Sequence, residues 1–221
     1  IDWSGTGPLR SGQGGALVNL GGINDTATSS INTAYGGNFS VTNNGTYAKT
    51  AGTTSILSEF RNFGNVTVTG ANLTFSAGGQ SAAGSSLAVG AGGLLVFDGG
   101  TFTVAQGTAL TGATDAGVRV GGGALVVSSG PLTLPRLRLT AGTMTVPEAV
   151  NVPLVEISGG SLLGTGTLPS VVLTQSGGVL ALPFTLATGN STWTGGNWNA
   201  PSASTATITA NATLSIAASV A

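Results

Sequence analysis

The residues in this chain best able to act as a general acid or base are seven carboxylates: Asp2, Asp25, Glu59, Asp98, Asp115, Glu148 and Glu156. No two lie within a few positions of each other, so no local acidic motif is present. Acids distant in sequence can still meet across adjacent turns of a repetitive fold. A pair of carboxylates straddling a glycosidic bond is the chemistry such a meeting would serve. Asp98 and Asp115 with Arg119 come nearest to that pattern. The chain has no His, and Lys49 is its only lysine. Serine-based catalysis therefore lacks its usual base. With Cys also absent there is neither a thiolate metal site nor a disulfide framework. No catalytic residue, metal ligand or cofactor site is assigned, and an enzyme is not expected.

Three other constellations could meet a ligand. The first is a run of charge at PRLRL, where Arg136 and Arg138 alternate with Leu137 and Leu139. Together with Arg119 and Glu156 it suggests an outward ladder, Arg119, Arg138 and Glu156, read as charge balance on a solvent face or as a weak contact for an anion. The second is the tryptophans, Trp3, Trp193 and Trp198, which could stack on sugar rings or close the ends of a core. The third is Thr-x-Thr, at Thr101/Thr103 and Thr143/Thr145, the form of an ice-binding ladder. It is interrupted by Ala124 and Val126. Asn-x-Ser/Thr occurs at Asn24, Asn38, Asn44, Asn65, Asn72, Asn190 and Asn211. These are glycan acceptors only in a source that glycosylates Asn.

The elements that must position these residues are short strands. Apolar pairs one residue apart recur along the chain, as in Val66/Val68, Leu73/Phe75, Leu94/Val96 and Phe102/Val104. Each pair places two side chains inward and the middle one outward. Gly doublets fill the gaps, and no helical period is sustained. Val118/Val120 is followed nineteen residues on by Leu137/Leu139, and Val155/Ile157 follows after eighteen more. Leu125/Val127 and Met144/Val146 keep the same interval. Such spacing predicts an all-β parallel β-helix, a solenoid with about 18–24 residues per coil. Residues 1–189 read as one repeat array, of which 1–57 are less regular. Residues 190–221 read as the start of a further repeat block or as terminal coils. DWSGTG near the start and TWTGGN near the end look like one phrase, and both ends are expected to continue into neighbouring coils.

Composition limits the partners. Charged residues are only 6% and the net charge is −1, so no basic patch for nucleic acid is available. No apolar run approaches the ~18 residues of a membrane-spanning helix. The outer surface must be built mainly from Thr, Ser, Asn and Gly. Such a surface suits a secreted bacterial protein stabilised by repetition, and the chain is expected to be a mature segment of something longer.

At GGTFTV (from Gly99), GGSLLGTGTL (from Gly159) and GGVLAL (from Gly177) the chain resembles bacterial autotransporter passengers and filamentous-haemagglutinin-like adhesins. STWTGGNWNAP with ATITANATLSI is similar to the Trp/Gly phrase that opens repeat blocks in those surface proteins. The resemblance implies a right-handed coil, an extracellular cell-surface location and a role in attachment. No translocating barrel, signal peptide or serine-protease motif is read in these residues. The expected function is therefore a non-catalytic adhesin or stalk segment. Its expected partners are neighbouring repeats or copies end to end, together with cell-surface glycans. The alternative is a subunit of a self-assembling extracellular filament or sheath. A polysaccharide-cleaving β-helix and an ice-binding protein rank behind these.

Overall fold

A computed structural model describes residues 1–217 apart from 107, 114, 129–131, 135, 202 and 203, and the side chain of Ala109 is likewise outside that description. The expected terminal block, 190–221, thus includes six residues, 202, 203 and 218–221, outside the described ones. The chain is a parallel β-solenoid of about ten turns, with no helix among the described residues. A typical turn carries three strands. Asn65–Val68, Asn72–Phe75 and Gly79–Ser81 make one, and Ser86–Val89, Leu94–Phe97 and Thr101–Val104 lie directly above it. Strand Asn65–Val68 shows why these stretches extend. Its valines alternate with polar residues, and β-branched side chains fit a pleat that is buried on one face.

Stacking in register turns each inward position into a column. Ile31, Ile56, Phe75, Phe97, Val120, Leu139 and Ile157 are successive partners on one face. Val118, Leu137 and Val155 pair at the nineteen- and eighteen-residue intervals read from the sequence. All of these residues are buried. Midway, aromatic rings from two faces meet inside the coil. Phe60 stacks on Phe75 with centroids 4.7 Å apart, and Phe75 on Phe102 at 4.8 Å. Each buried ring or branched aliphatic contributes about 1.5–3 kcal/mol relative to exposure.

Turn length is less uniform than the spacing predicts. Partners lie eighteen residues apart at Leu137 and Val155 but twenty-five apart at Ile31 and Ile56. The difference sits in one corner, residues 33–38, which loops out and leaves Tyr35 exposed. Towards the C-terminus corners shrink instead. Strand Leu168–Leu180 runs around two of them, with register shifts at Gln175/Ser176 and Ser176/Val179 against Gly189–Trp198.

The less regular N-terminal turns are held by polar groups that face inward. Asn19, Asn43 and Asn62 occupy one column below Ser81. Asn19 Nδ2 donates to Asn43 Oδ1 at 2.6 Å, Asn43 Nδ2 to Asn62 Oδ1 at 2.8 Å, and Asn62 Nδ2 to Ser81 Oγ at 2.9 Å. The second amide proton of each Asn goes to a backbone carbonyl, of Thr46, Asn65 and Ser86 in turn. The glycine two residues after each Asn (Gly21, Gly45, Gly64) makes the corner. A Cβ on Gly45 would collide with the Gly21 carbonyl oxygen, and one on Gly64 with that of Gly45. This ladder satisfies buried amides that would otherwise each cost about 1–3 kcal/mol. Replacing its middle rung, N43A, is expected to destabilise these turns by about 2–3 kcal/mol. Hydrogen exchange should then show lost protection over residues 15–65 and unchanged protection beyond residue 136. Uniform loss along the coil would contradict a local role.

Candidate functional site

On the outer face of the central sheet, the residue between two inward ones projects to solvent. Register aligns Arg119, Arg138, Glu156 and Thr174 there, one per turn; Val96, the preceding member of the column, is buried. Glu156 accepts hydrogen bonds from Arg136 Nε and Nη2 at 2.9 and 2.7 Å, and from Arg138 Nε at 2.5 Å. Arg136 lies in register with Leu154, two positions earlier on the strand, and reaches Glu156 diagonally. The hydrogen bonds from Arg136 are the main reason that the Glu156 carboxyl sits below its ordinary value. Partial burial works against this, and Arg138 adds to the lowering. The same bonds raise Arg136. Arg119 stands one turn beneath Arg138 and makes no ion pair among the described residues. Its Nε is buried without a hydrogen-bond partner.

A groove of about 390 Å³ runs beside this column. The column supplies Arg119, Arg138, Glu156 and Thr174 to one wall, and Thr140, Ser158 and Ser176 line the other. Of the acids considered with Arg119, Asp98 lies against Gly121, next to the arginine but beyond ion-pairing distance. Asp115 is exposed at the turn before strand Gly117–Val120. Among the described residues no three acidic side chains gather in one place.

Comparison with protein-family models, curated proteins and solved structures gives no match. The site must be read from its own chemistry.

The three tryptophans do not share an environment. Trp3 is 8% exposed, donates its indole N–H to the Gly7 carbonyl at 3.2 Å, and lies in register with Asp25. Trp193 packs partly against the core on a different face, in register with Ile216, and donates to the Gly196 carbonyl at 3.4 Å. Trp198 is exposed at 38%. Its ring meets Phe184 edge-on at 5.5 Å, and its N–H bonds the Leu182 carbonyl. DWSGTG and TWTGGN are therefore alike as local turns, in which an indole closes on a nearby glycine carbonyl, but they sit on different faces of the coil. The Thr ladder is interrupted in register, with Ala124 and Val126 between the two Thr pairs.

One charged cluster escaped sequence reasoning. Lys49 and Asp25 form a fully buried ion pair at 3.0 Å inside the N-terminal turns. Asp25 also accepts from the Tyr47 hydroxyl at 2.6 Å and the Ala27 amide at 2.9 Å, and Lys49 donates to the Ala27 carbonyl at 2.6 Å. Trp3, Asp25, Lys49 and Val68 make one column, so the indole closes the charged pair off from the N-terminal side. Burial, the Asp25 charge and the hydrogen bond to it hold the Tyr47 phenol well above its ordinary value. A signal did exist. Asp25 and Lys49 are separated by the same twenty-four residues as Asn19 and Asn43.

Two outcomes test these assignments. Lys49→Met leaves Asp25 buried and uncompensated, and is expected to cost about 3–5 kcal/mol. The double change D25N/K49M should recover most of that loss in denaturant unfolding, whereas additive losses would contradict the coupling. Glu156 is held down in the folded state, so its contribution to stability is present above its unfolded value and is lost as pH falls through the lower, folded one. A scan of melting temperature from about pH 6 to about pH 3 should therefore show a smaller acid-induced decrease for E156Q than for the parent chain.

Proposed function

We propose that this chain is a non-catalytic segment of an extracellular bacterial surface protein, an adhesin or stalk that attaches the cell or spaces a binding end away from it. The observation that carries the reading is the uninterrupted inward column from Ile31 to Ile157 beneath an outer surface of hydroxyls, amides and few charges. About ten turns at ~4.8 Å each make a rod about 50 Å long. Every turn is hydrogen-bonded to the next, so bending or local opening must break several strand pairings together. The surface repeats along the rod, which favours many weak contacts with a repetitive partner over one deep pocket. The likeness of its Gly-Gly strand phrases to surface adhesins supports the same reading.

A second reading, assembly end to end into a filament or sheath, draws on the same feature: each turn pairs with its neighbours through parallel strands, so one stack can continue into another. Beads coated with the chain should be retained on glycan-bearing cell surfaces above the level of uncoated beads, while electron microscopy of the protein shows dispersed rods. Retention equal to that of uncoated beads would remove the attachment role. Regular fibres would favour assembly.

A further inference from the structure

Four of the six cationic side chains are matched with carboxylates: Lys49 with Asp25, Arg61 with Glu59, and Arg136 and Arg138 with Glu156. Of the other two, Arg10 is exposed and can be hydrated. Arg119 differs, because it is partly buried and its Nε is shielded from solvent with no acceptor. Arg138 lies next to it, one strand spacing of ~4.8 Å along the axis. Glu156, one turn further on, already accepts three hydrogen bonds. Asp98 lies nearby, beyond ion-pairing distance. Two like charges in register destabilise each other unless an anion lies between or above them. The donor set is therefore short of an acceptor at the wall of the groove.

The opposite wall indicates what kind of anion fits. Thr140, Ser158 and Ser176 present hydroxyls there along three turns, Thr174 adds one at the end of the arginine column, and no aromatic ring lines the groove. Hydroxyl groups repeating at strand spacing suit a ligand that is itself a chain of hydroxyl-bearing units.

We propose that this groove binds an acidic oligosaccharide. A carboxylate or sulfate of one sugar accepts from Arg119 and the free donors of Arg138, and the hydroxyls of neighbouring sugars bond to the Thr/Ser wall. The proposal rests on the attachment reading and gives it a site. Glu156 anchors Arg138 on the groove wall. From Arg119 to Thr174 the groove spans three strand steps, ~14 Å, which is enough for a short saccharide.

The test uses the whole chain and calorimetric titration with four probes: an oligogalacturonate, its methyl ester, a heparin oligosaccharide and polyglutamate. At least one of the two acidic saccharides should bind, more weakly as salt rises. The methyl ester should bind about tenfold or more weakly. Tighter binding of heparin identifies sulfate as the preferred group, and tighter binding of galacturonate identifies carboxylate. R119Q should lose about tenfold or more in affinity at a melting temperature no lower than that of the parent chain, and R61Q, on another face, should lose nothing. Ser158 is exposed, so S158Y fills the groove without touching the core and should also abolish binding. Equal binding of the ester, equal binding of polyglutamate, or full affinity in both R119Q and S158Y would overturn the proposal. So would failure of both acidic saccharides to bind. Bead retention without oligosaccharide binding would remove this site and leave the attachment role standing. Binding without retention would do the reverse.

Discussion

Parallel strands stacked in register make each side chain the immediate neighbour of the residue one turn before and one turn after it. At a spacing of ~4.8 Å the neighbours touch, so a column must be chemically compatible from end to end. Apolar columns meet this condition readily, because branched aliphatic and aromatic groups pack on their own kind. A polar column meets it only if each member both donates and accepts. A charged column meets it only if the sign changes. Most of what is particular to this protein follows from how each polar residue satisfies that rule.

The interior offers two solutions. The carboxamides of Asn19, Asn43 and Asn62 carry donor and acceptor on one group, so each can bond the rung on either side and still reach a carbonyl. Asp25 and Lys49 instead alternate in sign, and Tyr47 and Ala27 complete their bonding. Both devices lie in the N-terminal turns. Beyond Ser81 the ladder column continues as Val104 and Val127, and the later core is apolar apart from Ser85, Gln175 and Ser191. On the outer face the rule is only half met. Glu156 answers Arg138 and Arg136, while Arg119 is left with an unmatched donor. The unmatched donor concentrates binding potential at that point, beside the hydroxyls of Thr140, Ser158 and Ser176.

The coil was legible in the sequence because two signals agreed. Val118/Val120 and Leu137/Leu139 show the strand period, and their separation shows the turn length. Arg119, Arg138 and Glu156 could be placed on one outward column from the same numbers, since each sits between two inward residues. The groove was not legible, because its second wall comes from Thr140, Ser158 and Ser176, positions just after strands where alternation gives no direction. The N-terminal turns were less readable because the corner at 33–38 changes the turn length from twenty-five to nineteen residues between successive partners of Ile56.

The sequence by itself determined that the chain winds into parallel turns with a common apolar interior, because period-2 pairs at a near-constant interval can bury their faces only by stacking. Tertiary structure alone decided which charges go inside. Alternation after Ile23 and Tyr47 points Asp25 and Lys49 inward, yet the desolvation of an isolated charge argues for the outside. Only the register, which sets the two a single turn apart, resolves the conflict in favour of burial. It likewise decided that Trp3 and Trp193 lie on different faces, since a local turn motif carries no information about where in the coil it falls.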